Sequence, residues 1–484
     1  MTEGRDVKSK KKQLAIIGNG MAASRLLDDL VARDATDRYD ITVFGEEPGG
    51  AYNRVLLGRV LSGEEPDAIV MKTPRWYEDR GVRLVSTATV TKLDTASRRL
   101  QLKNGDEHPY DVAVMATGSV PLVPPLAGVF GLGGELKKGA FVYRTLDDCA
   151  RIRAHVRPGD NAVVLGGGLL GLEAAKVLCD AGLHVTVVHL AQGLMETQLD
   201  HVGGQMLRKQ IERTGIFVRA GRTAEAVLGE HAVEGIVLDD GQRLAAETIV
   251  IACGVRPRRE VAVASGIPVN RGILVNDALM TEVPGVYAVG ECAEHRGMTY
   301  GIVAPVLEQA TVLASILSGR DPTARYRGSK IYARLKVAGV EVASMGIREP
   351  ELESDDVIQV LEERKDAYRK LVVRNGQLVG AMLVGNTKIA AQLVQLFDRG
   401  DSLPEDPLEA LSSTCAAGGA RSADRVLCNC HRVPLSTVMA AIDGGAATVE
   451  GVAEITQAGT GCGSCKSEIA QLCTLRARPA AVGE

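Results

Sequence analysis

The sequence predicts an α/β protein: two tandem doubly wound domains of parallel sheet flanked by helices, then an α/β domain, then a small helical domain that carries cysteines. Three observations predict this. A strand, a glycine turn, a helix and a second strand occur in that order twice, over 13–44 and over 161–188. After about residue 325 the pattern changes to apolar runs broken by Gly376 and Gly385. Near the C-terminus stand two cysteine pairs, Cys428-Asn429-Cys430 and Cys462-Gly463-Ser464-Cys465.

Gln13 to Ile17 reads as a short buried strand, Gly18 to Ala23 as a turn, the stretch from about Ser24 as a helix, and Ile41 to Phe44 as the next strand. Val112 to Ala116 adds another apolar strand, closed by Thr117-Gly118. The order repeats with Asn161 to Leu165, a turn from Gly166 to Gly171, an Ala- and Leu-rich helix, and Val185 to Val188. Thr248 to Ala252, ending in Cys253-Gly254, echoes the 112–116 strand. Tyr332 to Ser344 and Arg369 to Val384 read as strands, and Lys388 to Asp398 as a helix. Residues 411–424 are small and polar, as in a flexible linker. Two short helices are expected from Pro434 and Thr448, between the cysteine pairs, and no structural pattern is found in the last ten residues.

The two turns carry the first chemistry. Gly18-x-Gly20-x-x-Ala23 lies between strand and helix: Gly18 permits the tight turn, Gly20 lets a pyrophosphate approach the backbone, and Ala23 lets the helix pack closely. An acid is expected after the next strand to hold ribose hydroxyls, and Glu46 and Glu47 both stand there. Gly166-x-Gly168-x-x-Gly171 is the stricter fingerprint and fits NAD(P)H. There the position after the second strand is His189, where an acid would select NADH, and no arginine adjoins it for a 2′-phosphate. NADH and NADPH both stay open. Glu173, two residues past Gly171, either faces the nicotinamide–flavin junction or favours the helix N-terminus.

The chain has 484 residues, enough for about three domains at ~150 residues each. Its net charge of -4 implies no nucleic-acid partner, and the basic run Lys8 to Lys12 reads as a solvated N-terminal tail. No apolar stretch approaches the ~18 residues of a membrane span, which points to a cytoplasmic protein. Ten cysteines then indicate metal or redox chemistry rather than a disulfide framework. Four thiolates at Cys428, Cys430, Cys462 and Cys465 suit an iron–sulfur cluster, or zinc, since spacing does not name the metal. The remaining six, Cys149, Cys179, Cys253, Cys292, Cys415 and Cys473, show no paired spacing and read mostly as packing residues.

Several segments resemble known families. Thr281 to Glu291 resembles the FAD-closing motif of two-dinucleotide flavoproteins, with Glu291 after Gly290 in place of the usual aspartate, and this implies a bond from Glu291 to the ribityl chain. Residues 13–403 resemble flavin reductases of the ferredoxin- and rubredoxin-reductase type. The resemblance is closest to the N-terminal part of NAD(P)H nitrite reductase large subunits and to electron-transfer subunits of assimilatory nitrate reductase. Ala51 to Leu57 resembles the family's flavin segment and implies an Arg54 contact with FAD, with Arg59 where relatives often have lysine. Gly290 to His295 and Gly166 to Glu173 resemble further stretches of nitrite reductase large subunits, and the second implies that Glu173 lies near the nicotinamide. Residues 425–473 resemble the bacterioferritin-associated ferredoxin module, whose four cysteines hold a [2Fe-2S] cluster.

The fold this implies is two Rossmann-like dinucleotide-binding domains, for FAD (13–125 and 250–324) and NAD(P) (126–249), with an α/β C-terminal reductase domain (325–403). A linker (404–424), a small helical [2Fe-2S] domain (425–475), a flexible N-terminus (1–12) and a disordered tail (476–484) complete it. The resemblance also implies a dimer interface on the 325–403 domain. The implied function is electron transfer from NAD(P)H through FAD and the cluster to the molybdenum subunit of nitrate reductase or to a sirohaem nitrite reductase. Two other readings are a free-standing ferredoxin or rubredoxin reductase, and a flavoprotein whose C-terminal module binds zinc or docks a partner. No cysteine precedes Cys149, so the redox pair of disulfide reductases and the single flavin-side cysteine of peroxide reductases are both missing. The C-x5-C and C-x3-C pattern of a sirohaem centre is not found either, which suggests a donor to such a centre.

Overall fold

A computed structural model describes residues 11–404, 406–411, 425–428, 430–461 and 463–477, with 335–337 and 477 through their backbone alone. The expected flexible start (1–10), most of the linker (405 and 412–424), the end of the tail (478–484), Cys415 and Cys462 lie outside the described residues. Lys12, expected within the flexible start, opens the first strand, and helix Lys466–Ala477 runs into the stretch expected to be disordered. Among the described residues no helix is long and apolar enough to cross a membrane.

The chain forms two compact units. The first comprises residues up to Arg54, Pro66–Val120 and Val255–Ser329. Its sheet is parallel, in the order Val286–Ala288, Val112–Met115, Lys12–Ile17, Tyr39–Phe44, Arg83–Val85. Alternate residues of a strand face opposite sides, so a strand buried on both sides must be apolar throughout. Leu14, Ile16, Ile41, Val43 and Val114 pack on one face with Leu26, Leu27 and Leu30 of helix Met21–Val31 and Leu313 and Leu317 of helix Val303–Ser318. Ala15, Ile17, Phe44, Ala113 and Met115 face the other side, against Leu93, Leu100 and Ile273. Each leucine buried this way contributes about 1.5–3 kcal/mol.

The second unit comprises Val55–Glu65, Pro121–Gly254 and the chain from Lys330 onward. Its parallel sheet runs Phe217–Ala220, His184–His189, Asn161–Leu165, Thr248–Ile251, Ala140–Val142. The order mirrors the first sheet strand for strand, except that the outer strand comes from before the glycine turn rather than long after it. Residues 55–65, within the stretch assigned from sequence to the FAD domain, belong here. Helix Leu57–Leu61 packs on helix Leu146–His155, and the Leu57 carbonyl accepts a long bond from Cys149 Sγ at 3.8 Å.

The later part of this unit is an antiparallel sheet, ordered Tyr332–Val337, Val340–Gly346, Gln377–Val384, Ala367–Arg374, Asp355–Glu362, under helix Ala390–Arg399. Strand Asp355–Glu362 was not foreseen, because as an edge strand it buries only one side and its apolar residues do not alternate cleanly. A buried cation ties this sheet to helix His201–Glu212. Lys370 Nζ lies 2.9 Å from Asp200 Oδ2 and 2.6 Å from Glu349 Oε2, and the Tyr368 hydroxyl donates to the same Asp200 oxygen at 2.6 Å. Asp200 Oδ1 also caps that helix by accepting from the Gly203 amide at 2.8 Å. Removing either charge would strand the other in the core. The cysteine domain follows, with strand Val426–Cys428 and helices Leu435–Asp443, Val449–Thr456 and Lys466–Ala477.

Candidate functional site: two glycine turns and a cysteine cradle

In the first unit, Gly18 has φ +106°, and a Cβ there would lie 2.2 Å from the Ala116 carbonyl oxygen, so only glycine fits. Gly20 then starts helix Met21–Val31 with no side-chain cap and no acid in the first turn, and the space where its Cβ would point is open. Side chains of Thr145, Asp200 and Thr448 cap helices Leu146–His155, His201–Glu212 and Val449–Thr456, whereas helices such as Val303–Ser318 and Ala390–Arg399 carry no side-chain cap. A helix N-terminus left uncapped beside open space offers its unsatisfied N–H groups to an anion, and the pyrophosphate of FAD fits that demand. Ala23 is fully buried, which permits the close helix packing the motif needs.

Tertiary structure brings the other expected residues to this turn. Gly290, φ +86°, would place a Cβ 3.0 Å from Ala22 Cβ, and its amide donates to Gln309 Oε1 at 2.7 Å. Glu291 follows and accepts from Ser119 Oγ at 2.7 Å. Arg54 is ion-paired with Glu47 and donates to the Tyr52 hydroxyl at 2.7 Å, and Glu291 adds to the negative field around it. Glu47 also accepts from Tyr52 at 2.7 Å, while Glu46 pairs with Arg258. Neither acid is merely solvated. Arg59 belongs to the second unit, where it pairs with Glu64, Nε to Oε1, at 2.9 Å.

The second turn repeats the construction. Gly166 has φ +117° and would place a Cβ 2.3 Å from the Ala252 oxygen; a Cβ on Gly171 would lie 2.0 Å from the Gly166 oxygen. Gly168 starts helix Leu169–Asp180, again with no side-chain cap, no acid in the first turn and open space. Glu173 stands on this helix with its carboxyl pushed up to about 7 by burial. Near it, the buried Tyr143 hydroxyl has no hydrogen-bond partner among the described residues. Burial raises its pKa first, with the Cys149 and Glu173 fields adding to it. An acid poised near neutrality beside an unsatisfied hydroxyl is a polar site built to meet a ligand group. Tyr143 was not singled out from the sequence, where nothing distinguishes it from a core tyrosine.

His189 is buried at 6% exposure, because its ring turns back under the glycine turn. The expectation that no arginine adjoins it needs correction. The strand order sets the 221–222 turn beside it, and the Arg222 amide donates to the His189 oxygen at 3.0 Å.

Raising Glu173 from 4.5 to about 7 has a stability consequence. The folded chain holds a proton there that the unfolded chain has released, so this contribution is full below about pH 4.5 and is lost as pH rises through about 7. Glu173→Gln removes the dependence. Without nicotinamide, its melting temperature relative to wild type is expected to rise across that window and then level off; a pH-independent difference would contradict the assignment.

In the cysteine domain, Cys428 ends a strand, Cys430 lies in the turn after it, and Cys465 precedes helix Lys466–Ala477; all three are buried. A Cβ on Gly461 would stand 2.8 Å from Cys430 Cβ and 3.3 Å from its Sγ, so the turn leading to Cys462 lies against the first cysteine pair. Thr460 Oγ1 and His431 Nε2, 2.9 Å apart, join the same two turns, and Arg425 pairs with Glu468. Among the described residues, which do not include Cys462, no group of three or more His, Cys, Asp or Glu residues is placed to hold a metal. Three buried soft donors, Cys428, Cys430 and Cys465, beside the turn that carries Gly461 fit part of a thiolate-ligated cluster. Elsewhere, Cys149 and Cys292 are core residues, and burial pushes the Cys149 and Cys253 thiols up to about 12 and about 11.

Comparison with known proteins agrees with this construction. Residues 12–312 match the pyridine nucleotide-disulphide oxidoreductase family, 332–401 the rubredoxin NAD+ reductase C-terminal domain, and 426–473 the BFD-like [2Fe-2S] binding domain. The chain is 38% identical to nitrite reductase [NAD(P)H] of Bacillus subtilis, over 96% of this chain and 57% of that protein. It is 35% identical to the assimilatory nitrate reductase electron transfer subunit of the same organism, over 96% of this chain and 59% of that protein. The chain thus spans less than three fifths of the length of these relatives. In fold it is similar to the reductase in the covalent putidaredoxin reductase–putidaredoxin complex, with a TM-score of 0.73, 24% identity, and coverage of 83% of this chain and 96% of that one. With two uncapped glycine turns and a buried cysteine cradle in one polypeptide, the chain belongs to the pyridine nucleotide-disulphide oxidoreductase family, as an FAD- and NAD(P)H-binding oxidoreductase with a C-terminal [2Fe-2S] domain.

Proposed function

We propose that this chain is the electron-transfer component of a nitrate- or nitrite-reducing system, drawing electrons from NAD(P)H and delivering them to a separate catalytic partner. When bound, FAD takes an electron pair from the nicotinamide and the [2Fe-2S] cluster carries electrons onward one at a time. The observation that carries this reading is the union of both glycine turns and the cysteine cradle in a chain that aligns over 96% of its length with proteins named for nitrite and nitrate reduction.

The residues have these parts. Gly18, Gly20 and Ala23 form the seat for the FAD pyrophosphate, Glu46 and Glu47 supply the acid for its ribose, and Arg54, Gly290 and Glu291 hold the flavin end. Gly166, Gly168 and Gly171 seat the pyrophosphate of NAD(P)H, and Glu173 with Tyr143 orients its nicotinamide end. Cys428, Cys430, Cys462 and Cys465 hold the cluster. With no cysteine before Cys149, no protein disulfide serves the flavin. We place the chain in the cytoplasm, as a homodimer through its 332–401 domain, with the molybdenum subunit of nitrate reductase or a sirohaem nitrite reductase as acceptor. The ten cysteines and the absence among the described residues of a helix able to span a membrane support the first part.

Anaerobically purified protein tests the reading through its iron, acid-labile sulfide and flavin content, and through flavin bleaching by NADH or NADPH. Capture of a nitrate or nitrite reductase from nitrate-grown cells is the expected partner result. Zinc without iron, or a flavin that neither donor bleaches, would overturn it.

A further inference from the structure

The position that should decide between NADH and NADPH carries a histidine, and the structure shows what that histidine does. Gly167 is bonded on both sides: its amide donates to His189 Nδ1 at 3.1 Å, and its carbonyl accepts from the Met195 amide at 3.0 Å. A ring nitrogen that accepts an N–H carries no proton, so the neutral ring is protonated at Nε2. Nε2 lies 2.9 Å from Glu196 Oε2 and donates to it. The ring lies directly against Gly167, in space that any side chain there would fill: a Cβ on Gly167 would stand 2.7 Å from His189 Cγ and 2.6 Å from Leu194 Cδ2. Met195, in a left-handed conformation with φ 54°, turns the chain so that Glu196 comes back to this ring. The acid missing from the strand end is thereby supplied seven residues later, fixed through His189 to the glycine turn itself. Glu196 keeps about half of its side chain, 49%, open to solvent.

The surrounding charges favour the same partner. Arg222, the cation whose backbone adjoins His189, has Nε 2.8 Å from Asp240 Oδ2 and 3.9 Å from Asp239 Oδ1. Arg348 acts on Glu196 from a greater distance. Arg222 is thus engaged by two carboxylates of its own, and Arg348 is the weakest of the influences on Glu196. Vicinal ribose hydroxyls donate well to such a carboxylate, whereas a 2′-phosphate with its roughly two negative charges is repelled by it.

We propose that Glu196, held in place by His189, accepts the adenosine ribose hydroxyls of the nicotinamide dinucleotide and makes this chain select NADH over NADPH. The inference rests on the reading that the Gly166–Gly171 turn binds NAD(P)H.

Anaerobic stopped-flow bleaching of the flavin in the holoprotein, at varied NADH and NADPH, tests it. Wild type is expected to show kcat/KM for NADH at least about tenfold above that for NADPH, the scale of a charged hydrogen bond made or lost. Glu196→Gln should cut this ratio about fivefold or more, through a higher KM for NADH rather than a lower kcat. Glu196→Arg should raise kcat/KM for NADPH and narrow the ratio further. Glu196 is half-exposed, and retained flavin absorbance certifies that each variant is folded. A wild-type preference for NADPH, or a Gln variant that slows both donors equally, would overturn the inference while nicotinamide binding stands. If neither donor bleaches wild type, both fall.

Discussion

Serine at Cys465 is expected to leave NADH-driven bleaching of the flavin in place and to lower electron delivery to a one-electron acceptor by at least about tenfold, since even outer-shell substitutions at a metal site cost about 10–100-fold. Cys465 is 5% exposed, at the end of a turn that Gly463 makes with φ +75° and that is closed by the Lys466 amide donating to the Gly463 oxygen at 3.0 Å. The position is thus set by the backbone, and a serine hydroxyl would occupy the same place. What changes is the donor: a hard, protonated oxygen replaces a soft thiolate, and iron is held by three sulfurs rather than four. Because metal binding by a small domain is coupled to its folding, helix Lys466–Ala477 should also become more sensitive to protease. Iron content, the visible spectrum and limited proteolysis of the holoprotein read all three effects. The same substitution at Cys462 should behave alike. Unimpaired transfer to the acceptor in either variant would remove the cluster from the route.

Alanine at Gly18 and at Gly166 should separate the two dinucleotide sites. Both glycines have φ near +110°, where an L-residue costs roughly 1–2 kcal/mol, and both would drive a Cβ to within 2.3 Å of a carbonyl oxygen on the neighbouring strand. The turn must open, and opening moves the helix N-terminus that each turn aims. Gly18→Ala is expected to yield protein that loses FAD on gel filtration and so shows no nicotinamide-driven activity. Gly166→Ala is expected to keep its yellow colour and raise KM for NADH by at least about tenfold, since the fault lies in ligand positioning. A Gly166→Ala protein with unaltered KM, or a Gly18→Ala protein that retains its flavin, would contradict the assignment of that turn.

Much of the site was legible in the chain because its signals are local. A glycine turn spans six residues and a cysteine pair three or four, so the backbone geometry and the donor set are written contiguously. The strands flanking each turn were equally plain, because a strand buried on both faces must be apolar throughout. Polar partners were less legible. Glu291 finds Ser119, Gly290 finds Gln309, and Tyr143 comes near Glu173 only after the sheets have formed. The edge strand Asp355–Glu362 and helix Lys466–Ala477 escaped notice for a related reason. The strand leaves every residue at least partly exposed, and the helix buries only a few side chains, such as Ile469 and Cys473, too few to impose a period on the sequence.

By itself the sequence determined the doubled parallel-sheet plan, the two glycine turns that each lead into a helix N-terminus, and the two closely spaced cysteine pairs. Each of these depends on residue type at fixed short spacing. Only the tertiary structure decided where helix Leu57–Leu61 belongs, that the His189 ring is buried under Gly167, and that the carboxylate near the second turn comes from Glu196. Those outcomes depend on which side chains fill the space left by glycines and on hydrogen bonds across loops, quantities set by packing rather than by neighbours in the chain.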